Sequence, residues 1–256
     1  MKKVLVFLSI ILLLLTFNIG FAQDKPRDLV ASLAQIPGLA DSPGKGAFVD
    51  IVKVIAEVYP GKIKIEVFPF ERSIKNVLEG RADFHIPILR NPANSALNLP
   101  YRYATEKTGS VPIVIYSNKD KIITKKTIDA AIAKGGKFPY SIEVAGGLES
   151  VYPFPCISSN NSEASLLKVQ NKRVDAFLFG NEIDQTVKSL KLKAIHRELY
   201  GNFDDAIIIP KGPKGDEIDK ILSDCLRKLN ASGRLAELYK KVRSPYTDWQ
   251  PAEMGW

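Results

Sequence analysis

Apolar side chains along this chain recur with two periods, one helical and one strand-like, and the two alternate almost from end to end. In GAFVDIVKVIAEVYP, Phe48, Ile51, Val52, Ile55 and Val58 fall on one helical stripe that stops at Pro60. KIKIEVF then alternates Lys62, Lys64 and Glu66 with Ile63, Ile65 and Val67, the period of a strand. ERSIKNVLEG predicts a short helix with Ile74, Val77 and Leu78 inward and Gly80 as its stop. ADFHIPIL returns to a strand through Phe84, Ile86 and Ile88. The order repeats later: FPYSIEVAGG reads as a strand running into a glycine turn, SEASLLKVQN as a helix, RVDAFLF as a strand and NEIDQTVKSLK as a helix. Strands separated by helices of about ten residues predict parallel βαβ units in an α/β fold. Two such sets predict two lobes.

One phrase is written twice, as VLEGRADFHI (77–86) and as VQNKRVDAFLF (169–179). In each copy a helix ends at a polar or glycine residue, a basic residue and an aspartate follow, and an apolar strand begins. Asp83 and Asp175 therefore stand close to strand starts, where a short acceptor side chain satisfies loose backbone N–H groups. A framework role is expected for both. GSVPIVIYSNKD is strand-like but carries Pro112, which suits an edge or a crossing strand better than a sheet centre. DDAIIIPKGP (204–213) reads as a second short apolar strand. Two helices follow it in GDEIDKILSDCLRKLN and SGRLAELYKKV, the second capped by Ser232. Two crossings in opposite directions put both chain ends in one lobe (23–113 with 204–256) and the middle (114–203) in the other.

The first 22 residues stand outside this pattern: Lys2 and Lys3, an apolar run from Val4 to Phe17, then Gly20 and Ala22 at the small-residue positions of a signal-peptidase site. Cleavage after Ala22 is expected, giving an exported, periplasmic mature chain; an uncleaved membrane anchor is the rival reading. The full chain of 256 residues is 45% hydrophobic and 25% charged, an ordinary globular balance. Its formal charge of +8 falls to +6 without Lys2 and Lys3. The lysines are dispersed with no dense run, which argues against nucleic-acid or membrane-surface binding. Cys156 and Cys225 would meet an oxidising compartment, where a disulfide is chemically allowed. Cys225 also falls on an apolar helical face with Ile218, Ile221, Leu222, Leu226 and Leu229, so a buried free thiol is the alternative.

Four segments, in this order and spacing, resemble bacterial extracytoplasmic solute-binding proteins of family 3, the receptors of polar amino-acid ABC importers. They are GKGAFVDIVKVIAEV, PFERSIKNVLEGRADFHIPILRNPAN, VDAFLFGNEI and DEIDKILSDCLRKLNASGRLAELYKKV, and the likeness runs from about Leu29 to Val242. The resemblance implies the two-lobed periplasmic-binding-protein type II, or venus-flytrap, fold with two hinge-crossing strands. It further implies a monomer closing over a small polar solute, an amino acid or related small carboxylate, for an ABC permease in the inner membrane, with no cofactor or metal. Members of this family place an arginine after the first aspartate-led strand, where a guanidinium fork pairs a carboxylate. Here that stretch is RNPAN (90–94): Asn94 stands at the arginine's position, Asn91 lies beside it, and Arg90 is the candidate that supplies the charge. In the second lobe the resemblance puts Gly146 and Gly147 at a turn whose backbone N–H groups cradle an anion. It puts Asn181, with Glu182 next door, where an acid accepts from a ligand ammonium. Phe70 aligns with a ligand-stacking aromatic and Arg72 with a cleft contact; packing between strand and helix for Phe70, and a solvated side chain for Arg72, are the competing readings.

No Gly-x-Ser-x-Gly elbow, His-Glu-x-x-His pair or phosphate-binding glycine loop occurs in the sequence. His85 and His196, the only histidines, sit far apart in apolar strands, which suits packed or surface imidazoles better than a metal pair. The chain is therefore expected not to be an enzyme. One catalytic reading stays open, an exported cyclohexadienyl-dehydratase-like enzyme using Glu149 or Glu182 with Arg90. A sensory or accessory binding protein without its own transporter is the other alternative.

Overall fold

The computed structural model describes residues 26–36, 38–93 and 98–256. The proposed leader and Asn94 lie outside the described residues. The first lobe opens with strand β1 (Leu29–Ala34), helix α1 (Ala47–Val58), β2 (Ile63–Phe68), α2 (Phe70–Leu78), β3 (Phe84–Arg90) and the short β4 (Arg102–Tyr103). Strand β5 (Gly109–Asn118) leaves for the second lobe, which holds α3 (Lys125–Lys134), β6 (Ile142–Ala145), β7 (Ile157–Ser159), α4 (Ser162–Gln170), β8 (Ala176–Gly180) and α5 (Asp184–Ser189). Strand β9 (Ile195–Ile209) returns, and α6 (Pro213–Ala231) and α7 (Arg234–Tyr239) complete the first lobe.

The nine strands of the described residues join in one sheet, in the order β2-β1-β3-β9-β5-β8-β6-β7, with β4 also on β9. Within each lobe the inner pairs are parallel: β1 with β2 and β3, and β6 with β7 and β8. The lobes meet through antiparallel β5 and β9, which pair from Gly109 opposite Asp205 to Asn118 opposite Ile195. Pro112 sits in this crossing, one residue before the pairing with β8 begins at Ile113, so its missing N–H interrupts no ladder on that side. The apolar run that reads from sequence as a strand starting at residue 204 is the second half of the 15-residue β9. Its first half, with Arg197 and Glu198, has no clean alternation to announce it.

Each copy of the doubled phrase makes the same joint. Asp83 N donates to Val30 O at 2.8 Å while Asp83 Oδ2 accepts from Val30 N at 2.8 Å. Asp175 N donates to Ser141 O at 2.9 Å while its Oδ2 accepts from Ser141 N at 2.8 Å. Each aspartate thus closes the start of one strand onto the start of its parallel neighbour, the framework role expected of it. Burial works against the charge of Asp175, but the Lys121 ammonium and the Ser141 donors overcome this and hold its carboxyl below the usual range.

Four apolar clusters divide between the lobes. In the first lobe, α1, α6 and α7 cover one face of the sheet through Phe48, Ile51, Ile55, Leu222, Leu226 and Leu235. On the other face lie Ile88, Tyr101 and Ile208 with α2 against them. There the expected inward set of α2 needs correction: Val77 is buried and Ile74 half-buried, but Leu78 is 43% exposed. Ser73 and Asn76 face inward instead, because the strand beneath presents polar atoms: Ser73 Oγ lies 2.9 Å from Ser32 Oγ and 2.6 Å from His85 Nδ1. In the second lobe, one face carries an aromatic cluster of Tyr152, Phe154, Tyr200 and Phe203, and the other is covered by α4, α5 and, from the chain end, Tyr246 and Trp249.

Two further expectations change, and the choice left open for the cysteines closes on the free thiol. The terminal segment 244–256 packs on the second lobe, not the first, with Asn181 Nδ2 donating to Ser244 O at 2.9 Å and the guanidinium of buried Arg197 to Thr247 O and Trp249 O. Ser232 does not cap the start of α7; it stands at the C-terminal end of α6, its hydroxyl donating back to Leu229 O, and Gly233 precedes α7 at φ 72°. Cys156 and Cys225 are free thiols belonging to different lobes, and burial pushes the Cys156 thiol up to about 12. Helix α3, with a Thr124–Thr127 capping box at its start, lies in a stretch whose pattern was too weak to read. Among the described residues no helix is long and apolar enough to cross a membrane.

Candidate functional site

A cleft of about 510 Å³ opens between the lobes at the crossing strands. Its walls are mostly apolar, with Phe70, Ile88 and Leu89 from the first lobe facing Leu148, Tyr152 and Phe179 from the second. Pro69 and Phe70 begin α2, and the Phe70 ring is held from behind by the edge of His85, centroids 5.6 Å apart at 89°. Its other side rests on Gly147, where a Cβ would come within 3.1 Å of the ring. Gly147 adopts φ 85°, so both its backbone and the ring above it call for glycine. Asn91 Nδ2 adds a second contact between lobes, donating to Val151 O at 3.2 Å.

Three charged groups meet at the hinge side of the cleft. Arg243, past the last helix, has a side chain only 7% exposed. Its Nε and Nη2 donate to the two carboxylate oxygens of Asp205 on β9, at 3.1 and 3.3 Å. Its Nη1 lies 2.5 Å from Glu182 Oε1. Asp205 also accepts from the Tyr239 hydroxyl. Burial opposes the charge on Arg243, but Asp205 and Glu182 more than offset it and hold the guanidinium pKa above its ordinary value. Glu182 Oε2 is buried and receives no hydrogen bond from the described residues. It occupies the space that a Cβ on Gly180 would take, so Glu182 folds back over its own strand only because residue 180 is glycine. The polar remainder of the lining is neutral, chiefly Gln35, Ser159, Asn160, Asn161 and Ser162.

The expected site residues divide on this geometry. Phe70, Gly146 and Glu182 line the cleft, and Gly147 supports it. Arg90 does not line it: Arg90 Nε donates to Asp204 Oδ2 at 3.0 Å and Nη1 to Ala104 O at 3.2 Å. The cause is register, since antiparallel pairing of β3 with β9 sets Arg90 opposite Asp204. Arg72 is exposed on α2 and is not among the lining residues. Asn91 and Asn181 are buried and spend their amides on backbone carbonyls, of Val151 in one case and of Ser244 and Pro245 in the other. The Gly146 N–H, expected to help cradle an anion, donates to Ser159 O at 2.9 Å. Arg90, committed to Asp204, does not join Glu182 in the cleft lining.

Asp205 and Arg243 escaped the sequence reading. The doublet Asp204–Asp205 entering an apolar strand was the available signal, because two adjacent acids on a buried strand point to opposite faces and each needs a cation. Arg90 and Lys107 serve Asp204, and Arg243 serves Asp205. Arg243 itself follows the final helix in KKVRSPY, where nothing local marks it as buried.

No family model matches the sequence, and no curated protein sequence matches it. Solved structures do share its fold. The GluR0 ligand-binding core from Nostoc punctiforme in complex with L-glutamate is 15% identical and superposes at a TM-score of 0.61, covering 85% of this chain and all of that one. A histidine kinase sensor domain with similarity to periplasmic binding proteins is 14% identical at a TM-score of 0.63, over 86% of this chain and 97% of its own. The arginine-, lysine-, histidine-binding protein ArtJ from Geobacillus stearothermophilus is 16% identical at 0.60, again over 86% and 97%. The fold is the two-lobed periplasmic-binding-protein type II fold.

Proposed function

We propose that this chain is an exported solute-binding receptor that captures a small polar ligand in the interlobe cleft and hands it to an ABC permease. The observation that carries the reading is the cleft itself: a cavity of small-molecule size, walled from both lobes, with an aromatic face on one side and three charged groups at the hinge. A ligand seated there touches both lobes, so it binds the closed arrangement better than an open one and shifts that equilibrium in proportion to the difference. The lobes in this reading are 23–113 with 204–243, and 114–203 with the tail strapped onto it. Export with cleavage after Ala22 and action as a monomer belong to the same proposal, and N-terminal sequencing of the secreted protein checks the cleavage site.

A thermal-shift screen of amino acids, small carboxylates, amines and polyamines is the direct test. A ligand that binds the folded chain at a hundred times its Kd adds about 2.7 kcal/mol of stability, a clear rise in Tm. A flat response across such a library would count decisively against a receptor. The sensory reading has support of its own, because the fold is shared with a histidine kinase sensor domain and a GluR0 ligand-binding core. Co-purification with permease subunits separates the importer from the sensor.

A further inference from the structure

Several groups that could hold an acidic ligand are engaged elsewhere. Arg90 is paired with Asp204, and the Gly146 N–H with Ser159 O. At the N-terminus of α4 the Ala164 N–H is taken by Asn161 Oδ1 and the Ser165 N–H by Asn161 O, while Glu163 adds a negative charge in the first turn. Among the described residues that line the cleft, Arg243 is the one cation, and two carboxylates, Asp205 and Glu182, face it. The trio carries a net charge of −1. The oxygens of Asp205 receive Arg243 and Tyr239, whereas Glu182 Oε2 is left buried with no donor. A charged acceptor without a donor in an apolar cleft is costly in the empty protein and is relieved by a ligand that brings one.

We propose that the cleft selects a small organic cation with an apolar body and no acidic group, its ammonium or amidinium pairing with the Glu182 carboxylate as that side chain turns from Gly180 toward the cleft, while the body lies against Phe70, Leu148 and Tyr152. This rests on reading the cleft as a ligand site. The cation restores charge balance to the trio, and the apolar walls remove its hydrocarbon part from water. A carboxylate on the same ligand would enter a cleft with a negative excess and find Arg90, Arg243 and the Gly146 N–H committed to other partners.

Matched pairs that differ by one carboxylate test this on the intact mature protein by calorimetry: phenethylamine against phenylalanine, isoamylamine against leucine, cadaverine against lysine and agmatine against arginine. At least one amine is expected to bind saturably and at least ten-fold tighter than its amino acid. Glu182→Gln is expected to weaken that amine by ten-fold or more. An amino acid that binds as tightly as its amine, or a neutral or acidic solute that binds where no amine does, overturns the ligand class and leaves the receptor standing. If neither these pairs nor the wider library binds, both proposals fall. An amine whose affinity is unchanged in Glu182→Gln removes the contact on which the selection depends. Should that variant fold poorly, the comparison within pairs on the unaltered chain still decides the matter.

Discussion

The two lobes share one joint and differ in nearly everything packed around it. Asp83 and Asp175 make the same reciprocal pair of bonds to the neighbouring strand, and Gly80 and Lys172 occupy the same left-handed position at the end of the preceding helix, with φ of 73° and 58°. Around these matched joints the first lobe builds an aliphatic core and, beneath α2, a buried polar chain of Ser32, Ser73, Asn76 and His85. The second lobe builds an aromatic cluster and depends on the chain terminus, which returns from the other lobe to cover its outer face. The joint is therefore framework, and the distinct chemistry of each lobe comes from segments that the repetition does not include.

The largest expected effect tests that dependence on the terminus. The Arg197 side chain is 0% exposed, paired with Asp184 at 2.6 Å, bonded to Thr247 O and Trp249 O, and stacked 4.1 Å from the Trp249 ring. Arg197→Ala leaves Asp184 without its buried partner and releases the tail, at an expected cost of about 3–5 kcal/mol, read as an earlier urea midpoint for the second lobe. If the loss is below about 1 kcal/mol, the tail is an ornament and not a part of that lobe.

Next come the joints. Asp83→Ala and Asp175→Ala are each expected to cost about 1.5–3 kcal/mol, since both remove charge-assisted bonds to backbone donors. Asp83 should cost more, because its side chain is 7% exposed against 18% and it is paired with both Arg27 and Lys214. Denaturant titration of the two variants side by side would break the equivalence if only one were destabilised.

Acid should weaken the first lobe before the second. Full burial lowers the His85 pKa to about 3, well below the value near 6.5 of an unfolded chain. The unfolded state therefore takes up the proton first, so stability is complete above about pH 6.5 and is lost as pH falls toward 3. At pH 5 the loss from His85 is expected to be about 2 kcal/mol. His196 is shifted the same way by burial, but it is only half-buried and contributes less. A His85→Gln variant should flatten the fall between pH 6.5 and 4; an unchanged slope there would mean that His85 does not govern it.

The smallest expected effect compares the helix ends. Lys172→Gly should stabilise by about 1 kcal/mol or less, because a left-handed lysine is strained where glycine is not. Gly80→Ala should destabilise by about the same amount. The Lys172 ion pair with Asp120 is exposed on both sides and subtracts little from this difference.

Much of the fold was legible because it depends on local periodicity. Residues at i, i+3 and i+4 or at i and i+2 share a face whatever the rest of the chain does, so α1, β2, β3, α4 and β8 stand where the pattern put them. Local pattern erred where the opposing surface was polar or where a long strand lost its alternation, as at Leu78 and in the first half of β9. The site was less legible. Phe70, Gly146 and Glu182 reached the cleft, whereas Arg90 is paired with Asp204 outside its lining.

The sequence by itself determined two α/β lobes, the doubled aspartate joint and the apolar faces that bury them, since each follows from neighbours within about ten residues. Only the tertiary structure decided which charges meet. Arg90 and Asp204 are 114 positions apart and are joined by the register of β3 on β9; Arg243 and Glu182 are joined by the chain's last crossing. A charge's partner depends on where distant strands align, and no local period carries that information.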